Sequence, residues 1–382
     1  MTLFDWEQRK FRDIYKKSSE KNDLSYSKDQ VISVATMKWS HAPSNSSDTY
    51  MKSYNVMKKG DIAFEGHVNK NYIYGRFVEN TIGDGIVSHI FDVYTPLEKK
   101  HNLNFWKDYI SSSKIMNRIL RMSTTNARMM SNLVKADIDK QIIYIPSHLE
   151  QQQIGDILKT LTKCIDLQQR KLEYFMTIKA ELLRSIFPNT VGKRGLHISD
   201  QPWKLQTMND IFKEKNIKNE HGKLLSVSIS KGIYPFSENE RKNNSSNNKS
   251  KYKEVKYNDI AYNSMRMWQG ALGVSKYDGI VSPAYTVITA KKQENPLFYY
   301  YYFKNKRMLF NFRQHSQGLT SDTWNLKFPL FKKIIIQTPI SKKEEQIIAN
   351  LFKTLDQNII YTKTKIEKFN YIKQFLLQNM FI

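Results

Sequence analysis

Leu149–Phe187 reads LEQQQIGDILKTLTKCIDLQQRKLEYFMTIKAELLRSIF, and Lys343–Phe381 reads KEEQIIANLFKTLDQNIIYTKTKIEKFNYIKQFLLQNMF. The two stretches align at a constant offset of 194 without a gap and agree at 15 of 39 positions. In the first, apolar residues recur at Ile154, Leu158, Leu161, Ile165, Leu172, Phe175, Leu182 and Ile186. The second answers with Ile348, Phe352, Leu355, Ile359, Ile366, Phe369, Leu376 and Met380. Steps of alternating four and three keep these residues on one narrow helix face, the seam of a coiled coil. The spacing therefore predicts two long helices that pack on each other. Both seams break at matching places, Gln168 with Thr362 and Lys179 with Lys373. Polar seam residues prefer one another to leucine, so the matched breaks are expected to fix register and partner.

Outside the helices the repetition continues. Asp84–Ser88 and Asp278–Ser282 both read Asp-Gly-Ile-Val-Ser, offset 278 − 84 = 194. Asp61-Ile62-Ala63-Phe64 answers Asp259-Ile260-Ala261-Tyr262, Ser33-Val34 answers Ser226-Val227, and Trp6 answers Trp203. Order is kept while offsets drift by a few residues, as insertions in loops produce. One ancestral unit is used twice.

Punctuation divides each copy. Pro146 and Pro339 each close an apolar, strand-like run, Ile142–Ile145 and Ile334–Ile336, and a Pro/Gly linker from Pro188 to Gly195 stops the first helix. The expected division is a globular domain 1–147, a spacer helix 148–188, a linker 189–200, a second globular domain 201–340 and a second spacer helix 341–382. Short β-rich runs such as Val31–Ala35 and Ala284–Thr289 among helical patches make the class α+β. The expected fold is thus two similar domains separated by two long helices pairing as an antiparallel coiled coil, with internal pseudo-two-fold repetition. At about 1.5 Å per residue each helix is roughly 58 Å long, enough to hold two domains apart along more than one DNA turn. Arg241–Lys256 is low-complexity and basic, a solvated loop able to close on phosphates.

The chain carries 60 Lys and Arg against 36 Asp and Glu, a net charge of +24 over 382 residues. That excess suits a polyanionic partner, because each cation placed on a phosphate releases a condensed counterion. No run of 18 apolar residues exists and the N-terminus lacks a signal-peptide core, which points away from a membrane and to the cytoplasm. One cysteine, Cys164, excludes a disulfide framework or a Cys-rich zinc site, and beside Ile165 it reads as a packed bystander.

Catalytic motifs are absent from the sequence. Asn295-Pro296-Leu297-Phe298 lacks the second proline of an adenine-methyltransferase motif, and with 14 glycines no cofactor turn accompanies it, so it reads as a turn into the Tyr-rich segment that follows. No phosphate-binding Gly-x-x-x-x-Gly-Lys-Ser/Thr loop occurs, and the eight histidines show no metal-ligand spacing. Base edges are read by Arg, Lys, Asn and Gln, with aromatics nearby. Such groups cluster at Lys231, at Arg266, Trp268 and Gln269, at Arg313, Gln314 and Gln317, and at Thr320, Ser321 and Trp324. In the first copy they are Lys38, Trp39 and His41, Arg76, and Thr124, Thr125, Asn126 and Arg128, this last group taken as the counterpart of Thr320–Trp324. All are expected on loops. They differ between copies where the helices agree.

This layout resembles the specificity subunits of type I restriction–modification systems. The resemblance rests on the doubled arrangement, on Ile145-Pro146-Ser147-His148-Leu149-Glu150-Gln151 running to Phe187, and on Thr338-Pro339-Ile340-Ser341-Lys342-Lys343-Glu344-Glu345-Gln346 running to Phe381. Gly279–Tyr285 is similar to the family's mid-domain strand, with His89 standing where the second copy has Pro283. The resemblance implies a non-catalytic subunit that reads an asymmetric bipartite target in double-stranded DNA. It implies two methyltransferase subunits that bind S-adenosylmethionine, restriction subunits that use ATP and Mg, and no cofactor in this chain. The competing readings are a self-contained DNA methyltransferase or nuclease, and a coiled-coil scaffold with incidental charge.

Overall fold

The computed structural model describes residues 6–125, 130–188, 196, 198, 201–238 and 248–381. The chain forms two compact units, one built from 1–169 with 364–382 and the other from 170–363. Each unit is therefore completed by a segment from both long helices, which span His148–Ile186 and Lys342–Asn379.

The first unit is closed by strand Glu7–Lys10, which pairs antiparallel with Ile142–Ile145 just before the long helix. Its central sheet is antiparallel, in the order Tyr15–Lys17, Asp92–Pro96, Ile62–Glu65, Arg76–Glu79. A second sheet orders Lys38–Ser40, Val31–Ser33, Gly85–Val87 and Asn55–Met57, with Val31 and Ile86 paired in parallel. Helices Leu103–Ile110 and Ser113–Arg121 cover the core, where Phe11, Phe77, Phe105, Trp106 and Tyr109 are buried.

The second unit repeats this plan. Trp203–Thr207 pairs with Ile335–Pro339, and the central antiparallel sheet is Phe212–Glu214, Tyr285–Ala290, Ile260–Asn263, Leu272–Val274. Helices Pro296–Phe303 and Lys306–Gln314 stand where Leu103–Ile110 and Ser113–Arg121 stand in the first, an offset of 306 − 113 = 193. Asn295 caps the first of them, its side chain accepting the N–H groups of Leu297 and Phe298, as Asn102 caps with Asn104 and Phe105.

The repeated motifs are turn chemistry. Asp61 accepts the N–H of Lys58 at 2.7 Å and Asp259 that of Lys256 at 2.8 Å. Asp84, opening the first Asp-Gly-Ile-Val-Ser, accepts the N–H of Lys59 at 2.8 Å, and Asp278 that of Tyr257 at 2.8 Å. The turn needs a left-handed residue, met by Gly60 (φ +97°) and Asn258 (φ +67°). These residues recur because the backbone demands them.

Pairing of the long helices is antiparallel. In the first unit Ile154 and Leu158 share a core with Leu376, Met380 and Phe381, and Lys114 Nζ donates to the carbonyls of Gln378 and Phe381. In the second, Phe175, Leu182, Ile186 and Phe187 pack with Ile348, Phe352 and Leu355. Gly155 lets the first helix approach closely, since a Cβ there would lie 3.0 Å from the Phe105 nitrogen. The remaining seam residues, Leu161, Ile165, Leu172, Ile359, Ile366 and Phe369, are buried or half-buried.

One expectation about the seam is corrected. The polar breaks do not meet one another. Lys179 reaches Asp356, Lys373 donates to Thr162 Oγ1 at 2.9 Å, and Thr362 turns back to the carbonyl of Asn358 at 2.7 Å. The antiparallel register offers each lysine an oxygen beside the seam, a better partner than another cation or an amide.

Candidate nucleic-acid interface

In the second unit three separate stretches converge. Arg313 lies in the last turn of helix Lys306–Gln314, and its guanidinium stacks 4.6 Å from the ring centroid of Trp324. Trp324 meets Trp268 edge-on, with ring centroids 5.2 Å apart, and Trp268 Nε1 donates to the Met265 carbonyl at 3.1 Å. Arg266 stands 3.9 Å from Asp322. Gln317 and Asn325 exchange backbone hydrogen bonds of 3.0 and 2.7 Å, closing a loop whose tip carries exposed Thr320 and Ser321. Gln314 and Gln317 are exposed and Gln269 is half-buried.

A residue not singled out by sequence ties this cluster down. Lys304 Nζ donates to the carbonyls of Gly270 at 2.6 Å and Ile229 at 2.9 Å. It thereby joins the turn after Trp268 to the hairpin turn that carries Lys231. Burial, with Lys179 nearby, pushes the Lys304 amine down to about 8. Lys231 lies with its Nζ 5.2 Å from the Tyr234 ring centroid.

The first unit presents a different surface. Lys38 and Trp39, expected on a loop, form strand Lys38–Ser40 at the edge of the second sheet. Trp39 is half-exposed and lies across Gly83 and Gly85, which leave room for its ring. His41 Nδ1 sits 2.9 Å from Asp29. Arg76 is committed within the unit. Its Nε pairs with Glu65 at 2.6 Å, its Nη2 donates to the Ala35 carbonyl at 2.9 Å, and Tyr72 stacks at 4.9 Å. It braces the turn that precedes Lys38.

Two further sequence expectations change. Arg313 and Gln314 are helical rather than loop-borne, and Trp268 and Gln269 sit in a single 3-10 turn, Met267–Gln269. Thr124 and Thr125 form a short strand with Asn132–Leu133, beside the Gly66–His67 turn, and the Thr124 hydroxyl is spent on the Leu120 carbonyl at 2.7 Å. At the helix offset of 193, Thr124 corresponds to Gln317, so the counterpart of Thr320–Trp324 falls beyond Thr125. Asn126 and Arg128 lie outside the described residues, as do residues 241–247 of the basic stretch, whose far end, Lys253–Val255, is a strand rather than a loop.

Among the described residues no group of three or more His, Cys, Asp or Glu is placed to hold a metal, and no helix is long and apolar enough to cross a membrane.

Comparison with known proteins converges on one family. No curated protein sequence matches the chain. The structure is similar, at a TM-score of 0.60 and 12% identity, to the type I restriction–modification S subunit of M. genitalium, covering 100% of this chain and 97% of that one. It is also similar to the HsdS subunit of Thermoanaerobacter tengcongensis, with TM-score 0.51, 13% identity and coverage of 99% and 96%. A chain from a study of type I restriction–modification complex assembly and conformational transition matches at TM-score 0.51 and 11% identity, covering 99% and 98%. At such identities these likenesses speak for the fold. The family model for the type I restriction modification DNA specificity domain matches twice, over residues 4–174 and 200–371, once on each copy of the repeat. The chain thus belongs to the type I restriction–modification DNA specificity subunits.

Proposed function

We propose that the two units read the two halves of an asymmetric, bipartite DNA target, and that methyl transfer and cleavage belong to partner subunits. One observation carries this reading: the frames repeat residue by residue while the surfaces they display do not. Trp6 and Trp203 each donate to a glutamate of the adjoining long helix, Glu150 and Glu344, at 3.1 Å, and the Asp-bearing turns coincide. By contrast the Trp268–Trp324–Arg313 cluster has no repeat-related equivalent in the first unit among the described residues. A common frame with unlike displays suits two unlike half-sites.

In this reading residues 1–147 and 201–340 recognise DNA, with 189–200 as linker. The helical segments 148–188 and 341–382 set the half-site spacing and dock two adenine methyltransferase subunits, while restriction subunits join the same complex. Asn295-Pro296 serves as a helix cap, so the nearest approach to a methyltransferase motif has a structural role. Lys38, Trp39 and His41 in the first unit, and Lys231, Arg266, Trp268, Gln269, Arg313, Gln314, Gln317, Thr320, Ser321 and Trp324 in the second, are the proposed DNA-contacting residues.

Mapping of methylated adenines in a host carrying this chain and its methyltransferase partner tests the proposal. A split motif with unlike halves is expected, and a continuous palindrome would overturn it. Purified chain alone, given DNA with S-adenosylmethionine or Mg²⁺, is expected to leave the DNA unmodified and uncut.

A further inference from the structure

The first unit contains a basic cleft that its repeat lacks. Four lysines, Lys59, Lys100, Lys107 and Lys159, line a cavity of about 640 Å³ together with His101 and His148. None of the four amines has an ion-pair or hydrogen-bond partner among the described residues. Of the acids near the rim, Glu98 lies 3.8 Å from His148 and is engaged by Arg9, and Asp84 accepts the Lys59 N–H at 2.8 Å. Beneath the floor, the Glu79 carboxyl lies against His101, and burial pushes it up, which disfavours its charge there. The amides of Asn104 and Phe105 on the cleft wall are already taken by the Asn102 side chain. Positive charge is what the cleft offers.

At the repeat-related positions of the second unit three of the four lysines are replaced, Lys159 alone being kept, as Lys353. Gln293, Glu294 and Tyr300 stand for Lys100, His101 and Lys107, at an offset of 193, and Tyr257 stands for Lys59. Lys342, the counterpart of His148, bonds both Glu294 and Glu345 at 2.8 Å, and Asn295 donates to Gln346 at 3.0 Å. One copy of the frame closes this place with an ion network. The other lines it with four lysines, whose charge a bound anion would pair.

We propose that the cleft binds a phosphate group, and that in the working subunit this phosphate belongs to the DNA backbone flanking the first unit's reading surface. The second clause rests on the DNA-reading role of that unit. Position favours the backbone as source. Thr81 lines the cleft, while Gly83, in the same turn and tied to Asn80 at 2.7 Å, lies under Trp39. The cavity is also larger than a lone phosphate needs and admits a phosphodiester with its flanking sugars.

The test uses the full chain in complex with its methyltransferase partner and the double variant Lys100→Gln, Lys159→Gln, with thermal unfolding as the control for folding. Affinities for target and random duplexes are measured from 50 to 200 mM salt. Loss of one phosphate contact is expected to flatten the slope of log K against log salt by about 0.9, so that salt weakens the variant about threefold less over that range. The change should be equal for both duplexes, because a phosphate carries no sequence. Inorganic phosphate is the second arm. If it stabilises the parent against heat but not the variant, while the DNA slopes agree, the phosphate chemistry stands and its source is a free anion. If neither the slope nor phosphate protection changes, the proposal is overturned, including the case where the variant instead loses its methyltransferase and the cleft meets an acidic protein surface. Failure of the parent complex to bind DNA at all would count against the reading role, and the phosphate arm would still report on the cleft.

Discussion

Lys179 reaches across the helix pair to the carboxylate of Asp356, which also accepts the Tyr301 hydroxyl at 2.9 Å. The repeat-related trio in the first unit is Lys373, Thr162 and Asp108, so the acid has moved from the long helix to the helix packed on it. Burial raises the Asp108 carboxyl, and Lys373 pulls it back down. Each copy keeps one lysine in the seam and one acid within its reach. The arrangement therefore specifies register in both units with different atoms.

A double-mutant cycle on Lys179→Met and Asp356→Asn checks this. Both side chains are about one-quarter to one-third exposed, so a coupling of about 1 kcal/mol is expected rather than the several of a fully buried pair. Asp356→Asn alone should cost more than Lys179→Met, since it leaves a seam lysine facing an amide. Additive singles, measured by denaturant unfolding, would remove the pair from the account of register.

The tryptophan–glutamate hydrogen bonds give a matched comparison. Glu344 is 3% exposed and its second oxygen has no partner among the described residues, whereas Glu150 is half-buried. Trp203→Phe should cost about 1–3 kcal/mol because it orphans a buried oxygen, and Trp6→Phe should cost less because water can replace the lost donor. Equal losses in thermal unfolding would show that ring packing, not the hydrogen bond, dominates at both sites.

These contrasts show what the sequence made legible. The seam was readable because Ile154, Leu158 and their successors repeat at helical period over ten turns, and Trp6 and Trp203 stood out as a pair. Partnerships were not readable, since Lys179 meets Asp356 only through the antiparallel register. Lys38–Ser40 carries too few residues for alternation to announce a strand. The candidates Arg266, Trp268, Arg313 and Trp324 were visible as types, and folding brings them together. Lys304 was invisible because its acceptors, Gly270 and Ile229, lie 34 and 75 residues away.

Stability of the first unit should carry a signature of the Glu79–His101 pair. Burial pushes Glu79 from its ordinary value of 4.5 up to about 9, and His101 from 6.5 down to about 4. Between pH 4.5 and 9 the folded state holds a Glu79 proton that the unfolded chain has lost, so stability falls as pH rises through this window. His101 acts oppositely between pH 4 and 6.5, where the unfolded chain binds the extra proton. Glu79→Gln keeps the donor toward His101 and removes the first effect. Its melting temperature relative to the parent should climb steadily from pH 6.5 to 9, and a constant difference would refute the protonated carboxyl.

Base reading by the second unit predicts unequal losses. Trp324→Ala removes the platform of Arg313 and the edge contact with Trp268, and it should cost about 1–3 kcal/mol of discrimination between target and random duplex. Lys231→Ala should weaken both duplexes alike, as a phosphate contact does. Competition titrations at fixed salt distinguish the two patterns. Equal loss from both variants would make the aromatic cluster a backbone-binding surface.

Lys304 links that cluster to the fold, and its variant separates positioning from contact. Its amine serves two carbonyls from a buried place and is held at about 8, below its ordinary 10.5. The folded state therefore penalises the charged amine, fully below pH 8, and stability recovers as pH rises from 8 to 10.5. Lys304→Met removes that pH dependence and both hydrogen bonds. The seam residues are untouched, so unfolding of the helix pair should shift little. The turn from Arg266 to Ala271, held by the Ala271 N–H to the Arg266 carbonyl at 3.1 Å, should exchange its amide hydrogens faster. Target discrimination should fall while the salt dependence of binding stays put, because no phosphate contact is lost. A fall in salt dependence instead would mean that the Lys304 amine itself meets the DNA.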